Sequence, residues 1–65
     1  MKRVIWFVVA DAGVYNVFSS DQFDSKGRYT EDADIKFSDL DIVARFYSMD
    51  EAFDLAEELN DALRA

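Results

Sequence analysis

The 65-residue sequence contains no cysteine, no histidine and no proline, and it has only two glycines. Without cysteine and histidine the chain can form neither disulfides nor the usual zinc sites. The common pairs of nucleophile and base are excluded as well, so we expect a protein that is not an enzyme and holds no cofactor or metal. A chain of this length lies near the lower limit for folding on one hydrophobic core. We therefore predict one domain over residues 1–65, held by large side chains.

Apolar residues make up 51% of the sequence and aromatic residues 15%, which is typical of a globular domain and not of a disordered one. Lys2 and Arg3 precede an apolar run over residues 4–10, as at the start of a signal peptide. That run is at the short limit for a signal peptide and far too short to span a bilayer. We expect a buried strand there, no membrane partner and a cytoplasmic protein.

Three segments have the composition of strands. Residues 3–10 form a continuous β-branched and aromatic run, which predicts a strand covered on both faces. A turn in which Gly13 takes a positive φ leads into a second strand over residues 14–18. Residues 41–47 form the third strand, in which alternation places one set of side chains on a common face: Ile42, Ala44 and Phe46.

A C-terminal helix has the clearest signal. Ser48 and Glu51 match a capping box. Apolar residues then recur at helical spacing and predict one buried face: Ala52, Leu55, Ala56, Leu59, Ala62 and Leu63. The predicted fold is α+β, a three- to four-stranded antiparallel sheet with one C-terminal helix packed on one face. Residues 29–40 are either a further short strand, anchored by Ile35 and Phe37, or a covering loop.

A single helix covers only one face of a small sheet. In the first strand Trp6 and Val8 lie on one face, whereas Ile5, Phe7 and Val9 lie on the other. The second face must be covered by residues 19–40, by a second copy of the chain or by a partner. The sequence leaves these three alternatives open.

Negative charge is concentrated in the C-terminal half of the chain, whose net charge as a whole is −7. Residues 29–61 carry eleven acidic side chains against only Lys36 and Arg45. At about 100° per residue, four of the helical acids fall in a narrow stripe opposite the apolar face. These four residues, which we call the acidic ridge, are Asp50, Asp54, Glu57 and Asp61, with Glu51 and Glu58 flanking them.

The acidic ridge has an energetic cost that asks for an explanation. Like charges at (i, i+4) destabilise a helix, and acids near its C-terminus oppose the helix dipole. One explanation is solubility, which acidic surfaces raise. The other is a face presented to a basic surface that normally holds DNA or RNA, extended by Asp39 and Asp41, and by Asp32 and Asp34, if these fold alongside. The absence of a basic patch argues against direct nucleic-acid binding.

The sequence does not fit a calcium-binding loop. An EF-hand loop beginning at Asp21 would place Phe23 at a ligand position and Lys26 where glycine is required. Carboxylates such as Asp21 and Asp24 have no cleft in so short a chain to make them an acid–base pair. We expect surface carboxylates at these positions.

As a whole, the chain resembles the small acidic inhibitors encoded by phages and other mobile elements, particularly anti-CRISPR proteins. The resemblance is carried by a strand-rich short chain, the acidic helix from Met49 to Leu63 and the lack of catalytic residues. It implies an inhibitor that blocks a nuclease complex by mimicking nucleic-acid charge, with a type I surveillance complex as target. These proteins share no motif, so no residue role is transferred.

Two hypotheses follow. The first is an acidic inhibitor in the bacterial host cytoplasm that binds a basic nucleic-acid-binding surface through Asp50, Asp54, Glu57, Glu58, Asp61, Asp39 and Asp41. The second is a small structural or regulatory module that homodimerises through the strand-1 face, a contact that substitution of Trp6 or Phe7 would disrupt. The chain is accordingly expected to be a monomer or a homodimer.

Overall fold

The computed structural model describes residues 3–64. Along the chain they form β1 (Trp6–Asp11), β2 (Val14–Ser19), two short 3-10 helices (Ser20–Gln22 and Phe37–Asp39), β3 (Asp41–Phe46) and α1 (Met49–Arg64). The sheet has the order β2-β1-β3, and both pairings are antiparallel. Because α1 packs on one face of this sheet, the predicted α+β class is confirmed, with three strands.

The central core lies between β1 and α1. Val8, in the middle strand, is fully buried and packs with the two buried alanines of the helix, Ala52 and Ala56. Alanine at both helical positions lets the helix approach the sheet closely, and larger side chains surround the contact: Trp6, Tyr15, Val17, Ala44, Phe46, Leu55 and Leu59. The most apolar strand of the sequence is therefore the strand that is covered most completely.

The second face of the sheet is covered by residues 20–40, which we call the covering segment. Phe7 and Val9 are only 5% and 1% exposed on that face. The ring of Phe37 packs edge-on against Phe7 at 5.2 Å between centroids, and Phe23 lies 5.5 Å from Phe37. Edge-to-face contacts of this kind stabilise beyond simple burial. Of the three alternatives, coverage by the chain itself is the one observed. This face therefore has little exposed apolar surface left for contact with a second copy of the chain.

The covering segment contains no fourth strand. Its backbone makes only isolated bridges, between Phe23 and Tyr29 and between Arg28 and Lys36. Phe37 begins a 3-10 helix and does not anchor a strand. The segment is held by its aromatic side chains instead, since the ring of Tyr29 also lies edge-on to Phe18 at 5.4 Å. The covering-loop alternative for residues 29–40 is therefore correct.

A β-bulge changes the predicted face of β3. Ala44 lies opposite Val8, but the next pair joins Ile42 to Val9, so Val43 is an additional residue. Cross-strand partners share a face, which places Ile42 with Val9 on the face covered by the covering segment. The prediction that Ile42, Ala44 and Phe46 share one face was correct for the last two and wrong for Ile42, because strict alternation takes no account of a bulge.

The helix begins where the sequence predicts, and its last turn extends beyond the edge of the sheet. It starts at Met49, and the Ala52 N–H donates to the Ser48 carbonyl at 3.3 Å. Ala62 and Leu63, predicted to be buried, are exposed. Tyr15, near the start of β2, already contacts Asn60, so the last helical turn has no further strand beneath it. Helical periodicity predicts which side faces the sheet but not where the sheet ends.

Candidate protein-binding surface

The acidic ridge lies on the outer side of α1. Its four carboxylate residues are exposed, as is Glu58 beside them. Because Ala52 and Ala56 fix the opposite side of the helix against Val8, the ridge cannot rotate toward the core. The prediction that Asp50, Asp54, Glu57 and Asp61 project from the core on one stripe matches their exposure along this helix.

The spacing of the acidic ridge is set by helical geometry. Successive members are three or four residues apart, which places their Cβ atoms about 5–6 Å from each other. From Asp50 to Asp61 the rise is about 16 Å at about 1.5 Å per residue. One strand of DNA carries about five phosphates over that length. Four carboxylates over the same distance give a similar linear density of negative charge.

One ion pair contacts the acidic ridge. Arg64 Nη1 lies 3.8 Å from Asp61 Oδ1, and both side chains are largely exposed. The other ion pair within residues 3–64 joins Arg28 to Asp24 in the covering segment, away from the helix. An exposed pair of this length contributes little energy. Asp50, Asp54 and Glu57 therefore present negative charge that no ion pair in the described part of the chain offsets.

Asp39 and Asp41 lie elsewhere. Asp39 is in the covering segment, and Asp41 begins β3. Both line a cavity of about 220 Å³ between the sheet and the covering segment. Its other lining residues are Val9, Ala10, Asp11, Phe18, Asp34, Ile35, Lys36 and Leu40. Because both residues lie at this cavity and not on α1, they form a second acidic surface and do not lengthen the ridge.

A groove beside the acidic ridge was not anticipated from the sequence. It runs between α1 and β2 with a volume of about 320 Å³. Tyr15 and Val17 line it from the strand, and Phe53 and Glu57 line it from the helix. Phe53 is apolar but outside the predicted helical face. An apolar residue outside the apolar face, between Ala52 and Asp54, is a sequence signal that could have singled out Phe53 as a surface contact residue.

The groove is held in shape by Asn60. Its side-chain carbonyl accepts a hydrogen bond from the Tyr15 N–H at 2.8 Å, and its amide donates to the Tyr15 carbonyl at 3.0 Å. Both backbone groups belong to β2, which is an outer strand of the sheet. These bonds fix the distance between the helix and the strand along the groove.

Two further observations concern the described residues. Within residues 3–64 the acidic side chains form no group of three or more potential ligands that could hold a metal ion. The same part of the chain has no helix with the length and apolar character that a membrane crossing requires.

No protein-family model, curated protein or solved structure matches this chain. Ionised carboxylates only accept hydrogen bonds, and they pair best with arginine and lysine. A rigid row of them is suited to binding a cationic surface.

Proposed function

We propose that this protein is an acidic inhibitor that binds a basic, nucleic-acid-binding protein surface by charge mimicry of DNA. In the form suggested by its resemblance, it is an anti-CRISPR protein that acts in the cytoplasm of a bacterial host on a CRISPR-Cas complex. It works by occupying a surface and not by catalysis. The observation that carries the proposal is the acidic ridge, whose first three residues have no ion-pair partner within residues 3–64.

The energetics of the helix support a role in binding. Asp50 and Asp54, and Glu57 and Asp61, are like-charge pairs at (i, i+4), each of which costs about 0.2–0.5 kcal/mol. A sequence selected only for solubility could intersperse lysine and keep the helix more stable. A small domain has little stability in reserve. The unmixed charge of the ridge is therefore better explained by a partner that requires it.

The rigidity of the helix also supports the proposal. Mimicry of a charged polymer requires carboxylates at fixed spacing, because flexible side chains on a mobile segment lose entropy when they bind. Here the helix packs against all three strands through a core centred on Val8, Ala52 and Ala56. The ridge is thus presented on the element that contacts every strand of the sheet.

The test is charge reversal on the ridge. We expect Asp54→Lys combined with Glu57→Lys to abolish binding to a purified type I surveillance complex, measured by surface plasmon resonance at low salt. The reason is that both attractive contacts become repulsive. The matched control is Asp11→Lys combined with Asp34→Lys, which changes the net charge equally at exposed positions off the helix.

The control variant should bind like the unmodified protein. Circular dichroism should show that both double variants remain folded, since all four side chains are exposed. Binding of the ridge variant with unchanged affinity would overturn the proposal. Equal loss in both variants would show that the partner is attracted by overall charge or by the second acidic surface, which Asp11 and Asp34 also line, and not by the ridge alone.

A further inference from the structure

The acidic ridge has an apolar border. Phe53 and Met49 are one helical turn apart and are 51% and 47% exposed. Both lie on the flank of α1 that faces β2. Phe53 borders the ridge, and Met49 lies between Phe53 and the buried side of the helix, as their helical positions require. The half-exposed ring of Phe53 places apolar surface directly beside negative charge.

The exposure of Phe53 follows from its helical position. Ala52 and Ala56 pack on Val8, and Phe53 lies about 100° around the helix from Ala52, on the side of this contact. There it forms one wall of the groove, whose floor and opposite wall come from Tyr15 and Val17 of β2. The groove therefore offers an aromatic and aliphatic lining that is open to solvent.

Carboxylates border the groove. Glu57 belongs both to the acidic ridge and to the groove lining, and Asp54 follows Phe53 directly. The one cation that lines the groove, Arg64, lies within 3.8 Å of Asp61. When an apolar side chain of a partner enters the groove, the partner residues on either side of it would therefore lie next to these carboxylates. Neighbours of positive charge are favoured by complementarity.

The mode of entry is restricted by Asn60. An extended peptide could in principle add to the outer strand β2 by backbone hydrogen bonds. At Tyr15 both the N–H and the carbonyl are already bonded to the Asn60 side chain. Backbone pairing is therefore blocked at Tyr15, and an occupant must bind this part of the groove through its side chains.

We propose that this groove binds an apolar side chain of a basic partner segment, with Phe53 as its main contact and Asp54 and Glu57 as the ion-pair partners of the flanking arginines or lysines. This inference rests on the proposed function and specifies its partner. The target surface is basic with an apolar residue at its centre, and not a uniformly charged channel. Buried aromatic contacts ringed by polar ones are the usual source of affinity in protein interfaces.

Two synthetic peptides of equal length and equal positive charge test the proposal. One alternates arginine with leucine, and the other alternates arginine with serine. We expect the protein to bind the arginine–leucine peptide about tenfold more tightly, measured by fluorescence anisotropy. Phe53→Ala should remove that preference and leave affinity for the arginine–serine peptide unchanged. The control Tyr47→Ala, which removes another exposed aromatic ring, should retain the preference.

The outcomes separate this inference from the proposed function. Equal binding of both peptides, with no effect of Phe53→Ala, would overturn the groove proposal and leave the acidic ridge intact as a binding face. If neither peptide binds at low salt, or if Asp54→Lys with Glu57→Lys changes nothing, the proposed function fails as well. Sedimentation of the chain alone as a dimer that Phe53→Ala converts to a monomer would assign the groove to a second copy instead.

Discussion

The side chain of Asn60 and the backbone of Tyr15 are joined by two hydrogen bonds, of 2.8 and 3.0 Å, across 45 residues of sequence. The pair imitates the contact that a neighbouring strand would make, because one group donates and the other accepts. It therefore connects the end of α1 to the outer strand β2 and blocks that part of the sheet edge. Unpaired edges are sites of unwanted strand addition, so this contact serves specificity as well as stability.

Asn60→Ala should lower the free energy of unfolding by about 1–2 kcal/mol, because it leaves two partly buried backbone groups of Tyr15 without partners. Urea denaturation followed by circular dichroism measures this loss. Asn60→Asp keeps the acceptor for the Tyr15 N–H but places a carboxylate oxygen against the Tyr15 carbonyl, so this variant should also be less stable than the unmodified protein. Asn16→Ala, at an exposed position of the same strand, is the control and should change little. A stability of Asn60→Ala equal to that of the unmodified protein would contradict the assignment.

The hairpin turn between β1 and β2 contains a removable strain. Ala12 has φ 50° and Gly13 has φ 86°, as a two-residue turn with both φ values positive requires. Gly13 matches its prediction, but alanine is disfavoured in this region by roughly 1–2 kcal/mol. Ala12→Asn, which tolerates it, should raise the thermal midpoint, with an expected gain of about 0.5–1 kcal/mol in the free energy of unfolding. Calorimetry would measure this shift, and a lower midpoint would show that Ala12 is not strained.

Asp54→Lys alone should stabilise the helix while it weakens binding. The substitution removes repulsion toward Asp50 and Glu58, both four residues away, and replaces it with attraction. The expected gain is about 1 kcal/mol in the free energy of unfolding at low salt, measured by urea denaturation. The gain should shrink at high salt, since exposed charges are screened. A loss of stability at low salt would mean that Asp54 contributes to folding and is not retained for a partner.

Asp24 links stability to pH. Its carboxylate accepts hydrogen bonds from the backbone N–H groups of Arg28 at 3.0 Å and Lys26 at 2.9 Å. The bond from Arg28 is the largest cause that holds the pKa of Asp24 below its ordinary value of 3.8. Because the pKa is lower in the folded chain than in the unfolded chain, the stabilisation is present above about pH 4 and lost as the pH falls through the folded pKa.

Asp24→Asn should therefore lose part of the acid dependence of stability. The measurement is the urea midpoint at a series of pH values from about 6 to 2. At the acidic end the difference between the variant and the unmodified protein should become small, since Asp24 is then protonated in both the folded and the unfolded chain. A difference that stays constant over the whole range would exclude ionisation of Asp24 as the cause.

The fold was predictable where local sequence dominates. The positions of β1 and of the start of α1 follow from sequence patterns that extend over only a few residues, a hydrophobic run for the strand and the onset of helical periodicity for the helix. The position of Ile42 was not predictable, because the bulge at Val43 depends on the partner strand. The coverage of Phe7 by Phe37 was equally hidden, since it joins residues 30 positions apart in a segment without periodicity.

The candidate binding surface likewise has one part that depends on nearby residues and other parts that depend on packing between distant ones. The acidic ridge belongs to one helix, so the spacing of its residues was sufficient to define it. Whether Asp39 and Asp41 extend it depended on which face the covering segment occupies, and only the packing of the sheet decides that. The groove at Phe53 required the register between α1 and β2, for which Asn60 and Tyr15 gave no local signal.

The measurement that tests the central claim most directly is mutual exclusion on one target. A purified type I surveillance complex would be titrated with labelled target DNA in the presence of increasing amounts of this protein, at fixed low salt, and the reverse titration would follow. Competition for one surface predicts that each ligand lowers the apparent affinity of the other without limit as its concentration rises. Simultaneous binding of DNA and protein to the complex, or no binding of the protein, would contradict charge mimicry.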